Sequence, residues 1–138
     1  MWMLYALGSS FFAGITAILA KCGIKKTDSD VATAIRTIVV FLFSWLVVLI
    51  TGNGSGIARI SGKTFLFLAL SGLATGASWI CYYRALKDGP ASVVVPIDKL
   101  SILVTIIFSW AVFHEKLTRK AALGLCCITA GTIWLALL

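Results

Sequence analysis

The stretch VATAIRTIVVFLFSWLVVLIT, residues 31–51, decides the fold. Its 21 residues contain one charge, Arg36, and neither Gly nor Pro. The apolar residues run continuously, without the in–out alternation of a membrane barrel strand. A helix of about 20 such residues crosses a hydrocarbon core of about 30 Å, and it satisfies its own backbone polar groups while doing so. Four more stretches of this kind follow on either side: Trp2 to about Gly23, Thr64–Leu86, Ala91–Phe113 and about Lys120–Leu138. The expectation is an all-α integral membrane protein of five transmembrane helices, at about residues 2–23, 31–51, 64–86, 91–113 and 120–138.

Composition agrees. Hydrophobic residues make up 60% of the 138-residue chain and charged residues 12%, about half the charged share of a soluble domain. The net charge of +7 would suggest nucleic acid in a soluble protein. Here the basic residues cluster between apolar runs, at Lys21–Lys26, Arg59–Lys63, Arg84–Lys87 and Lys116–Lys120. Lys and Arg gather this way at lipid headgroups. The expected environment is therefore a bilayer, with no nucleic acid as partner. The first apolar run has no Lys or Arg ahead of it, so it is read as a retained helix and not as a secretion signal.

The connections are short. IKKTDSD (24–30) carries Asp28, Ser29 and Asp30, good capping groups for the second helix. GNGSGIARISGK (52–63) is the longest loop, KDGP (87–90) makes a tight turn, and HEKLT (114–118) offers Thr118 as an N-cap. GIARISGKT resembles a phosphate-binding loop, but Ile57 stands where the first Gly is required and no strand precedes it. Cys22, Cys81, Cys126, Cys127 and His114 lack ligand spacing, so no metal site is expected. No nucleophile–base pair or paired carboxylates are evident, so the chain is not expected to be an enzyme. Small residues recur every four positions, as at Gly72 and Gly76, a spacing that lets helices approach closely in a compact bundle.

An odd number of helices puts the termini on opposite sides of the membrane. On the N-terminal side the loops carry Arg59, Lys63, Lys116, Arg119 and Lys120. On the other side they carry Lys21, Lys25, Lys26, Arg84 and Lys87. Orientation normally follows an excess of Lys and Arg on the cytoplasmic side, and here the two sides are equal. The chain is expected to insert both ways and to form an antiparallel, dual-topology homodimer, an inverted repeat assembled from two chains. A heterodimeric partner of opposite orientation is the alternative.

Charges inside membrane helices mark candidate sites. Arg36 lies in the second helix, Asp98 and Lys99 in the fourth. Both helices enter from the same side, which puts Arg36 about 8 Å deep and Asp98 and Lys99 about 10–12 Å deep. Trp79, seven residues before the end of the third helix, shares that depth, and Tyr82 and Tyr83 lie near it. Pro96 removes a backbone hydrogen bond two residues before Asp98. Broken helices at this depth line cavities or polar sites. The candidate substrate-binding set is Lys99, Asp98, Arg36, Trp79 and Tyr83, with Pro96 as the helix break. Two cations against one carboxylate leave a cation that favours an anionic solute. A structural Arg36–Asp98 pair, and packing roles for the aromatics, are the plainer alternatives. Arg84 and Glu115 are read as structural charges near helix ends, Arg84 reaching the headgroups and Glu115 pairing with Lys116 or Arg119 or facing the last helix's start.

The run from Trp79 to Thr118, with YYRAL (82–86), PIDKLS (96–101) and HEKLT (114–118), together with Arg36 in TAIRT, Gly124 and Gly131, resembles EamA-domain transporters of the drug/metabolite transporter superfamily. It is most similar to the short five-helix bacterial and archaeal branch. The resemblance implies one EamA-like domain over residues 1–138, half of a ten-helix inverted-repeat fold with a central cavity. It also implies a need to dimerise, and transport of small solutes without a metal or organic cofactor. The function expected is secondary transport of a small polar metabolite, with anionic solutes favoured, by alternating access in the cell (plasma or inner) membrane. The alternatives are a subunit of a heterodimeric transporter or lipid-linked-sugar flippase, and a small multidrug-type cation/proton exchanger. The exchanger reading is weakened by the lack of any acid in the first helix.

Overall fold

The computed structural model describes residues 1–138. It is helical throughout: α1 (Trp2–Ile24), α2 (Ser29–Ile50), a 3-10 segment (Asn53–Arg59), α3 (Gly62–Asp88), α4 (Ala91–Asp98), α5 (Ser101–Phe113) and α6 (Arg119–Leu137). Five segments are long and apolar enough to cross a membrane, with α4 and α5 together forming the fourth. The chain is a multi-pass membrane protein. It divides into two compact units, residues 18–87 and residues 1–17 with 88–138.

In the unit of residues 18–87, α2 begins where Asp28 leaves the helical conformation (φ −61°, ψ 137°) and its carboxylate accepts the Asp30 N–H at 2.9 Å. Asp30, in the first turn, adds a negative charge at the positive end of the helix dipole. At the other end Gly52 takes a left-handed conformation (φ 70°) and donates to the Leu49 carbonyl at 3.3 Å, so the chain turns sharply out of α2. The loop expected over residues 52–63 then winds into the 3-10 segment. Ser61 Oγ accepts the Thr64 N–H at 3.3 Å and opens α3 two residues earlier than expected. The interior of this unit is small and lies at one end, around Ile24, Ser29, Thr33, Tyr83 and Leu86.

Gly52 gives a direct test. A Cβ there meets no atom within 4 Å, so any cost of substitution comes from the backbone conformation alone. Gly52→Ala is expected to lower stability by about 1 kcal/mol, read as thermal unfolding in detergent. Gly54→Ala, where φ is not positive, should cost much less.

In the other unit α4 packs on α6. Thr118 caps α6 as expected, accepting the Ala121 N–H at 3.3 Å. The fourth membrane segment is interrupted, not merely kinked. After Pro96 the ladder tightens, with Lys99 N–H donating to Pro96 O at 3.1 Å, Leu100 N–H to Ile97 O at 3.0 Å and Ile102 N–H to Lys99 O at 3.1 Å. Bonds of this i to i−3 type mark a 3-10 turn. α5 ends on His114, the one non-glycine residue with positive φ (54°).

The small-residue stripes do not tighten the bundle. A Cβ at Gly14, Gly72, Gly76 or Gly124 meets nothing within 4 Å. Large apolar side chains such as Phe41, Phe67 and Trp110 are largely exposed. A bundle built in water must hide such groups, but lipid wets them without penalty.

Candidate functional site

An ion pair joins the start of α2 to the end of α3. Arg84 Nη2 lies 2.7 Å from Asp30 Oδ2 and Arg84 Nε lies 3.2 Å from Asp30 Oδ1, a fork-on-fork pair. The sequence reading gave Asp30 a role only in capping and sent Arg84 to the headgroups. The pair joins them because antiparallel helices bring the start of α2 level with the end of α3. Lys21 of α1 donates to the Leu86 and Lys87 carbonyls near the end of α3. These carbonyls have no partner in their own helix, and a cation there also meets the negative end of the dipole.

Six residues beyond Asp30 on α2, or about 9 Å, sits Arg36. Its guanidinium carbon lies 4.6 Å from the centroid of the Trp79 ring and 5.4 Å from that of Tyr83. Both contacts lie within cation–π range. Of the residues expected at one depth, Arg36 and Trp79 are therefore brought together in one unit, along with the nearby Tyr83. Arg36 and Trp79 are half-buried and Tyr83 is 2% exposed. The Tyr83 hydroxyl is buried and has no hydrogen-bond partner. Tyr82 stacks edge-on against it, with centroids 5.7 Å apart.

Asp98 and Lys99 lie in the other unit, at the end of α4 and in the 3-10 turn. Lys99 Nζ lies 3.8 Å from Asp98 Oδ2. The flexible four-carbon stem of lysine lets the ammonium fold back onto its neighbour. Lys99 has a carboxylate beside it. In the unit of residues 18–87 the only acids are Asp28 and Asp30. Asp28 caps α2 and Asp30 holds Arg84. No carboxylate of its own unit is left for Arg36, which, unlike the unit's other cations, lies away from the ends of the membrane-spanning segments.

Glu115 does not take Lys116 or Arg119 as its partner. It accepts a hydrogen bond from Ser109 Oγ, which spans the left-handed turn at His114. Beside it an open, mostly apolar groove of about 470 Å³ runs along the end of α5, past Ile106, Trp110 and Leu117. Of the residues singled out from the sequence it includes Glu115 and Lys116, and none of the candidate substrate-binding set.

If the aromatic faces hold Arg36, removing the better one is costly. Trp79→Ala is expected to destabilise the protein by about 2 kcal/mol, and Trp79→Phe by less than half of that. Thermal unfolding in detergent measures both. Equal effects would mean that Trp79 serves only as bulk.

The model of the EamA-like transporter family matches residues 1–137 of the chain. A protein of Sinorhizobium sp described as an uncharacterized transporter in cobO 3'region is 48% identical over 135 residues, covering 98% of this chain and 96% of its own. No solved structure matches the chain.

Proposed function

The chain belongs to the EamA-like transporter family, and from that premise we propose that this membrane transporter works as an antiparallel homodimer. It moves a small polar, anionic metabolite across the cell (plasma or inner) membrane by alternating access. Residues 1–138 act as one five-helix half, and the second, inverted copy completes the pathway. The observation that carries this reading is the equal number of basic residues, five against five, in the loops on the two sides. A chain without a charge bias has no preferred orientation. Further support comes from the glycines that face open space and from the apolar side chains left exposed, which fit lipid or a second copy.

The moving part is the break between α4 and α5. Pro96 keeps the segment from winding into one helix, and the tightened turn at Lys99 and Leu100 can tilt α5 against α4 at little cost. Lys99 and its neighbour Asp98, at this break, sit where a solute would pass. Lys99 draws anions toward the pathway, and Arg36 with its aromatic pair is the unit's binding element.

C-terminal reporter fusions test orientation, one reporter active only in the cytoplasm and the other only outside. Activity of both is expected. If a single side reports, the homodimer is wrong. The second subunit must then be a different, oppositely inserted chain, as in a heterodimeric transporter or a flippase for lipid-linked sugars.

A further inference from the structure

We infer that Arg36 and Tyr83 form a carboxylate-binding site, and that the solute is therefore a monocarboxylate and not a phosphate ester. The inference rests on the transport reading for its biological meaning, but the geometry belongs to one unit of one chain.

Three observations lead to it. First, Trp79 and Tyr83 approach the guanidinium at 4.6 Å and 5.4 Å. Aromatic contacts of this kind occupy the guanidinium and leave N–H groups along its edge to donate. That edge is a rigid fork matching two coplanar oxygens. Second, the Tyr83 hydroxyl is buried, belongs to a ring that Arg36 touches, and donates to nothing. An orphaned buried hydroxyl is uncommon and calls for an explanation. A bound oxygen atom would supply its partner. Third, Arg36 is the one charge of the unit that lies away from the ends of its membrane-spanning segments, and no carboxylate pairs with it, since Asp28 and Asp30 are engaged at the start of α2.

That balance separates two anion classes. A carboxylate carries one charge, offers two coplanar oxygens to the guanidinium edge and has lone pairs left for Tyr83. With Arg36 it forms a neutral set, the only kind that sits inside a membrane without a large desolvation cost. A phosphate monoester brings about two charges. It would leave an uncompensated anion, because the other cations of the unit lie in loops or at helix ends and not at the depth of Arg36.

The test uses the full-length protein in detergent and three probes of similar shape: benzoate, the neutral benzamide and phenyl phosphate. A ligand that binds the folded state raises its thermal midpoint with concentration. Benzoate is expected to do so, benzamide is not, and phenyl phosphate should bind more weakly than benzoate. Arg36→Gln should weaken benzoate roughly ten- to hundredfold. Arg36→Lys, which keeps the charge and loses the fork, should fall in the same direction. Tyr83→Phe should weaken benzoate roughly five- to tenfold while raising the midpoint of the ligand-free protein, since an unpartnered buried hydroxyl is removed. A purely structural Tyr83 would not produce these opposite shifts. Tighter binding of phenyl phosphate, no response to benzoate, or unchanged benzoate binding in Tyr83→Phe or Arg36→Gln would overturn the inference. If Arg36→Gln fails to fold, Arg36→Lys and Tyr83→Phe decide it. None of these readings depends on orientation or transport. Benzoate binding with a one-sided reporter result would retain this site and remove the homodimer.

Discussion

Either of two orientation-locked variants, expressed alone, should accumulate as dimer at less than a tenth of the normal level. Both together should restore it. Replacing Lys25 and Lys26 with Gln leaves three basic residues on their side against five on the other. Replacing Arg59 and Lys116 with Gln creates the opposite imbalance. Each should then insert with its richer side in the cytoplasm. None of the four residues takes part in a described ion pair, so the substitutions act on insertion and not on folding. A population that faces one way offers no inverted copy. Its open glycine surfaces and apolar faces then have lipid alone to meet. The size of the effect follows from its all-or-none geometry: a dimer of opposed chains cannot form from one orientation. Dimer yield by size-exclusion chromatography reads the result. Normal dimer from a single locked variant would rule out the antiparallel pairing.

The second large effect is expected at Pro96. Pro96→Ala should make the protein more stable by about 2 kcal/mol. A proline inside a helix costs about 3 kcal/mol in lost hydrogen bonding and ring clash, and the greater freedom of the unfolded alanine chain returns part of that. With the Pro96 N–H restored and its ring gone, the turn at Lys99 and Leu100 can relax from i−3 to i−4 bonding and join α4 to α5. Amide exchange at residues 99–102 should slow at least tenfold, which a gain of about 1.4 kcal/mol in local opening would produce. Stability gained at the break is mobility lost to alternating access. A fall in thermal midpoint, or unchanged exchange at these amides, would mean that Pro96 is ordinary packing.

How far the sequence carried depended on which physical rule governed each residue. Membrane spans follow from local composition, and so all five were found. Caps are also local: Asp28 and Thr118 announce themselves by type and position. Depth counting from a shared membrane face grouped Arg36 with Trp79, Asp98 and Lys99, because every helix rises by the same 1.5 Å per residue, and of these the contact of Arg36 with Trp79 is present within one unit. Lateral neighbours are another matter. The Asp30–Arg84 pair depends on which helix lies beside which and on their rotation, and depth alone gives neither. Lys99 was placed by its depth along the helix, which does not fix where an ammonium on a flexible four-carbon stem comes to rest. The 3-10 segment at residues 53–59 was read as loop because three glycines and an Asn in 52–56 carry little helical preference. His114 in a left-handed turn had no strong signature either, although His tolerates that conformation better than most residues.

The antiparallel pairing itself is tested most directly by counting labels on dimers. With Cys22, Cys81, Cys126 and Cys127 replaced, Lys26→Cys supplies one thiol in the loop before α2. Intact cells are treated with a membrane-impermeant maleimide, and the purified dimers are weighed by native mass spectrometry. One label on every dimer is the result expected, since one copy of residue 26 faces outward and its twin inward. A mixture of unlabelled and doubly labelled dimers would mean parallel pairing and would contradict the account.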